Sequence, residues 1–201
     1  MLRFFRKVVS GFANRCLLSS YAKHIMAERD GLMITSAGGS ARFCETVERA
    51  LQLIRDHDPR RYLRVTNSAD WIVDYVAPFG SGGGVYRSAI RSIELDVDYN
   101  LVDSEAALAA QVASVIVHEA THGELRRRGF PYTDVNWKQC ERICVAEENR
   151  FLLKLRRSGL EFPDWLIEEF APERWDLFRE SSRWKRLWCT LRRITQKHLE
   201  V

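Results

Sequence analysis

The stretch from Ala106 to Val117 is almost wholly apolar, holds neither Pro nor Gly, and closes on His118-Glu119-Ala120-Thr121-His122 before Gly123. Asp103 or Ser104 can cap its start, so the spacing predicts a helix through the whole run. A helix that is apolar nearly all round is a central, buried one. Two histidines and a glutamate at its end are costly there unless they have partners. Residues four apart lie on one face of a helix, so His118 and His122 can hold one metal ion. Glu119 is then placed to take a proton from a water at that ion rather than to ligate it. The plainer alternative is an ordinary helix whose histidines are satisfied by the core. Such a pattern arises by chance in roughly one chain in a hundred, and the buried, apolar context favours the metal.

Composition sets the frame for this helix. A chain of 201 residues suffices for one sizeable core with extensions, not comfortably for two. At 46% hydrophobic and 29% charged it has the balance of a soluble globular protein. The five cysteines, Cys16, Cys44, Cys140, Cys144 and Cys189, are odd in number and follow no framework spacing, which points to reduced thiols and a cytoplasmic setting. Cys140 and Cys144 stand one helical turn apart and read as core residues. A net charge of +4 permits acidic partners without requiring them. No apolar run reaches the length of a membrane span, and the N-terminus lacks the pattern of a secretory signal.

Residues 1–36 read as a basic amphipathic helical arm, with Phe5, Val8, Val9, Phe12, Cys16 and Leu17 near one face. Such an arm can lie on a membrane or a partner, but docking on its own domain is the preferred reading. Ser36-Ala37-Gly38-Gly39-Ser40 reads as the linker to a core over 40–160. Phe43, Val47, Ala50, Leu51 and Ile54 recur at helical spacing, with Pro59 beyond the end. His57, between Asp56 and Asp58, falls at that solvated terminus, where weak metal binding is the lesser reading. Trp71 to Val76 is a strand by its β-branched and aromatic content. The glycines of Phe79 to Val85 lack the Gly-Lys-Ser/Thr of a phosphate cradle and read as a loop near the cleft. Ser92 to Tyr99 alternates strictly, with Ile93, Leu95, Val97 and Tyr99 on one face and a wet face of Glu94, Asp96 and Asp98 on the other. After the His118 helix, Thr133 or Asp134 can cap a second one, striped by Trp137, Cys140, Cys144, Phe151 and Leu155. The tail, 161–201, interleaves Trp165, Trp175, Trp184 and Trp188 with Arg and Lys. That composition suits nucleic acid, but its helical spacing favours a face packed on the domain.

A two-histidine zinc site needs a third protein ligand. No histidine follows at the short spacing of the three-histidine peptidases, so the candidates are Glu141, Glu147 and Glu148 on the next helix. If the two helices pack antiparallel, the histidines lie roughly 13 Å before the turn, Glu141 roughly 10 Å past it and the other two nearer 20 Å. Glu141 is therefore level with the histidines. Glu148, two turns further on the same side, can accept a hydrogen bond from a ligand histidine, while Glu147 falls on the opposite edge.

His-Glu-Ala-Thr-His followed by a glutamate-bearing helix resembles the glutamate-ligand branch of the zincin metallopeptidases, and small bacterial metallopeptidases carrying the same five residues. The order of helix, strand, glycine loop, alternating strand and buried histidine helix is that of an α+β domain, similar to a minimal zincin core over about residues 40–157. A more distant likeness is to the ImmA/IrrE-like peptidases, whose glutamate sits in a stretch similar to Glu147-Glu148-Asn149-Arg150-Phe151 and would favour Glu147. The resemblance implies hydrolysis of a peptide or protein substrate, with zinc on His118, His122 and Glu141 and Glu119 as general base. His/His/Glu also suits manganese or iron. It further implies an edge strand that aligns the peptide, for which Ser92 to Tyr99 is the candidate. Tyr86, Tyr99 and Tyr132 are candidate oxyanion donors, but packing is the preferred reading of each and none is assigned that role. The rivals are a zincin fold that binds without turnover, and a DNA-associated protease that uses the basic tail.

Overall fold

A computed structural model of the chain describes residues 14–75, 83–167 and 169–170. A helix, α1, occupies residues 14–22. It leads into β1 (Ile25–Arg29), β2 (Leu32–Ser36), α2 (Ala41–His57), α3 (Pro59–Ser68), β3 (Trp71–Asp74), β4 (Gly84–Arg87), β5 (Ser92–Leu95), α4 (Glu105–Arg127) and α5 (Trp137–Arg157). A short 3-10 turn follows at Asp164–Leu166. These elements belong to one compact unit, residues 1–168. Residues 169–201 group as a second unit, and the aromatic and basic tail falls outside the described residues from 171 onward. The protein is α+β, and no helix among the described residues is long and apolar enough to cross a membrane.

The five strands form one mixed sheet in the order β1-β2-β3-β5-β4. β2, β3 and β5 run parallel in the middle, and β1 and β4 lie antiparallel at the two edges. Ile34, Ile72 and Ile93 are in register across the three central strands. With Phe43, Val47, Leu51 and Ile54 of α2 and Ala113, Ile116, Val117 and Ala120 of α4 they make a single core. Each of the larger of these side chains, Val, Leu, Ile and Phe, contributes about 1.5–3 kcal/mol by leaving water. α4 is the axle of the domain, packed against α2, α3, α5, β4 and β5. Ser104 caps its start by accepting from Ala107 N–H, and Gly129 follows its end at φ +80°.

The structure corrects several expectations. The helical arm over 1–36 does not extend to residue 36, because 25–36 is a hairpin that supplies two strands of the sheet. Its turn is Asp30-Gly31, with φ of 50° and 82°. Two positive φ angles in a two-residue loop match the right-handed twist of the flanking strands. Residues 36–40 are accordingly the short link from β2 to α2, fastened where Ser40 N–H donates to Ser36 Oγ, and not a boundary between domains. Pro59 opens α3 rather than ending the helical region, and Asp58 serves as C-cap of α2 and N-cap of α3 together. α5 starts at Trp137, later than Thr133 or Asp134, which lie in the preceding turn.

The strand from Ser92 is regular only to Leu95 and has no wet face there, since Ser92, Ile93, Glu94 and Leu95 are all buried. Glu94 is 1% exposed, and its Oε1 accepts from Tyr21 Oη at 2.7 Å and from Arg87 Nε. A strand paired on both sides in the parallel part of a sheet is covered on both faces, and alternation alone does not distinguish solvent from a polar lid. Of the glycine loop, residues 76–82 fall outside the described residues, whereas Gly84 and Val85 belong to β4.

Candidate metal centre

Buried apolar residues hold the middle of α4 in the core and thereby fix the direction of its polar end. His118, Glu119 and Glu141 are 7%, 6% and 5% exposed, so the polar groups here are almost entirely withdrawn from water. α5 runs antiparallel beside α4, as the pairing of Glu148 with Ser114 and His118, and of Glu141 with His118 and His122, requires.

One carboxylate oxygen joins the two histidines. Glu141 Oε2 lies 3.2 Å from His118 Nε2 and 3.6 Å from His122 Nε2, and the two rings are 5.1 Å apart between centroids. Ligand atoms at about 2.1 Å around a tetrahedral zinc are roughly 3.4 Å from each other. The two separations around Glu141 Oε2 are close to that edge length, and the shorter is equally that of a hydrogen bond between His118 and Glu141. A second donor stands nearby. Cys144 Sγ is 3.5 Å from His122 Nδ1, and His118, His122 and Cys144 each offer an atom within 4.8 Å of the others. The sulfur meets the far nitrogen of the ring, however, whereas Glu141 meets the near nitrogens of both histidines. Glu141 and Cys144 thus approach the histidine pair from different ring nitrogens, and the group whose ligand atoms all lie within 4.8 Å of one another is His118, His122 and Cys144.

The three glutamates of α5 separate by their partners. Glu148 Oε2 is 3.0 Å from His118 Nδ1, and Ser114 Oγ donates to its other oxygen at 2.8 Å. Glu147 turns away to α3, where Arg61 and Arg64 donate to it at 3.0 and 2.8 Å, with Arg150 at 2.5 Å. His57 stands at the end of α2, half-buried and on a different element from the histidine pair.

Charge follows this arrangement. Burial opposes the charged form of His118, but hydrogen bonds to Glu141 and Glu148 outweigh it and hold the imidazole well above its ordinary value. Burial also pushes Glu141 up, and the hydrogen bonds and charges of His118 and His122 carry it far below the usual carboxylate range instead. Glu119 goes the other way: burial raises it, against the lowering effect of His122, His118 and a Tyr86 backbone N–H. The Cys144 thiol is pushed up by burial and by the neighbouring carboxylates. These directions describe an ion pair between His118 and Glu141 beside a Glu119 held toward its neutral form.

Sequence reasoning misses β4. This strand lies flush on α4 because Gly84 has no side chain: a Cβ there would stand 2.7 Å from Val115 Cγ1 and 2.9 Å from Glu119 Cγ. We expect Gly84→Ala to push β4 off Glu119 and to cost about 1–3 kcal/mol by overpacking, read as a lower urea midpoint. Metal affinity is expected to stay within a few-fold of wild type, because no donor moves with β4. An unchanged midpoint would show that β4 does not bear on α4. Tyr132, in the turn before α5, sets its ring edge-on to His122 at 5.3 Å and is 47% exposed. Tyr86 Oη instead donates to Ser68 O, and Tyr99 lies under the Arg42 guanidinium.

Comparison of the chain with protein-family models, with curated proteins and with solved structures gives no match.

Proposed function

We propose that this protein is a zinc-dependent peptidase of the zincin kind, with His118, His122 and Glu141 as ligands and Glu119 as general base. The observation that carries this reading is the convergence of both Nε2 atoms on one Glu141 oxygen, at 3.2 and 3.6 Å, with Glu119 next along the helix. Zinc, when bound, supplies Lewis acidity that yields a nucleophile from water near neutral pH and polarises a carbonyl. Glu119 takes the proton of the attacking water and hands it to the leaving amine. The Tyr86 backbone N–H holds its carboxylate while burial raises its proton affinity. Glu148 fixes the ring of His118 from behind.

The expectation that Ser92 to Tyr99 aligns the substrate does not survive the sheet order. β5 is paired on both sides, by β3 and β4, so its backbone groups are already committed. Among the described residues β4 is the outer strand beside Glu119 and takes over this role in the proposal: an extended peptide adds to it by pairing with the backbone groups that Glu119 does not hold. Cys16, Cys44, Cys140 and Cys144 are free thiols, which supports the cytoplasm as the compartment proposed here.

The test is digestion of a mixed peptide library by the zinc-loaded chain near neutral pH. Cleavage that stops with a chelator and returns with zinc is the expected result. Cleavage indifferent to the chelator, or none from the loaded protein, argues against a metallopeptidase.

Glu147 provides a separate test of the ligand set. Burial raises its pKa, but Arg64, Arg150 and Arg61 carry it below 4.5. A depressed carboxylate contributes stability that is complete above its unfolded value and fades as pH falls through the folded one. Glu147→Gln is therefore expected to lose roughly 2 kcal/mol at neutral pH, a difference that shrinks well below pH 4.5, and to bind zinc as wild type does. Chemical denaturation at both pH values and a zinc titration check this. Loss of the metal would transfer the ligand role to Glu147.

A further inference from the structure

The two histidines are held differently on the sides that face away from Glu141. Behind His118, Nδ1 meets Glu148 Oε2 at 3.0 Å, a carboxylate anchored in turn by Ser114. Behind His122, Nδ1 meets the Sγ of Cys144 at 3.5 Å, within the reach of a sulfur hydrogen bond. Glu141, Cys144 and Glu148 follow one another at three and four residues on α5, so they form a single ridge facing α4. Each of the three meets one or both histidines. Cys144 is fully buried.

An imidazole that presents Nε2 to a metal carries its proton on Nδ1, and the group that accepts this proton sets both tautomer and ring rotation. For His118 that group is a carboxylate. For His122 the structure assigns it to a thiol: we propose that Cys144 is a positioning residue, whose sulfur accepts the Nδ1 proton of His122 and holds Nε2 toward Glu141. The proposal rests on the reading of His118, His122 and Glu141 as metal ligands. The two ring nitrogens point away from each other, so an atom seated on Nδ1 stands across the ring from Glu141 and orients the ligand without joining the set. Sulfur is a weaker acceptor than a carboxylate. The site is thus asymmetric, with His118 held firmly and His122 held loosely.

The test compares wild type, Cys144→Val and Cys144→Ser as full chains, using zinc affinity from competition with a chromogenic chelator and the visible absorption of the cobalt(II)-substituted protein. Valine fills the space of cysteine and removes the acceptor. Its expected effect is about a tenfold loss of zinc affinity, at the low end of what outer partners of metal-bound histidines contribute, with an altered cobalt spectrum. Serine keeps an acceptor and is expected to return the affinity to within about threefold of wild type. If circular dichroism shows that the valine variant does not fold, Cys144→Ala takes its place with the same readouts. Equal affinity of the valine variant and wild type overturns the proposal, as does a serine variant no better than valine, which would reduce Cys144 to packing. A thiolate-to-cobalt charge-transfer band in wild type overturns it differently, by making Cys144 a ligand. A wild type that takes up neither metal overturns the underlying ligand reading and this proposal with it, an outcome distinct from the others.

Discussion

Glu119→Gln is expected to retain its zinc and to lose hydrolysis by roughly 10²–10⁴, the usual contribution of a positioned acid–base group. Glutamine has nearly the shape of glutamate, so β4 and Val115 still pack around it. It cannot take up a proton. The variant therefore separates binding from turnover, because the proposal leaves Glu119 outside the ligand set and burial raises its carboxyl. Metal content and cleavage of the best library peptide are measured on the same preparation. Full activity in the glutamine variant would place the base elsewhere. A variant that loses its zinc would place Glu119 among the ligands. Should the wild type bind zinc and cleave nothing, the fold is serving a binding role in which Glu119 has no chemical part.

Glu141→Ala is expected to weaken zinc binding by more than roughly a hundredfold, beyond the range seen for outer partners alone. This carboxylate approaches both Nε2 atoms, at 3.2 and 3.6 Å. Its removal also leaves the buried His118 and the half-buried His122 facing each other without this carboxylate between them. His118→Ala is expected to lose as much, since it takes away a ligand and strands Glu148 against Ser114. Isothermal titration of the zinc-free proteins checks both. If Glu141→Ala still binds tightly while Cys144→Ala does not, the His118, His122 and Cys144 grouping is the metal set.

Much of this site is legible in the sequence because helices are regular. Four-residue spacing predicts one face for His118 and His122, and a constant rise per residue brings Glu141 level with them across an antiparallel turn. The later start of α5 at Trp137 leaves that matching intact, because α4 also stops short of the turn, at Arg127. The same phase argument puts Glu148 within reach of a ligand histidine, which the structure identifies as His118, and turns Glu147 away. The position of Cys144 is also written in its spacing from Glu141 and Glu148. A buried cysteine nonetheless reads as core until its helix is seen against α4.

What the sequence conceals depends on pairing between distant segments. The Asp30-Gly31 turn is a recognisable hairpin signal, but β1 is mostly exposed, so the apolar periodicity that usually reveals a strand is weak there. β4 has four residues, one of them Gly84, and exists because β5 offers it a partner and α4 a surface. Glu94 looks like the wet side of an amphipathic strand. Its burial comes from Tyr21, more than seventy residues away in the chain, and from Arg87 across the pair.

The central claim is that this fold holds one metal ion between α4 and α5. Native mass spectrometry of the wild-type chain, loaded with zinc and dialysed, tests it most directly. One zinc per folded chain, absent from Glu141→Ala treated in the same way, is the predicted result. A folded wild type that leaves dialysis free of metal would contradict the account and reduce His118, Glu141 and His122 to a buried hydrogen-bonded cluster.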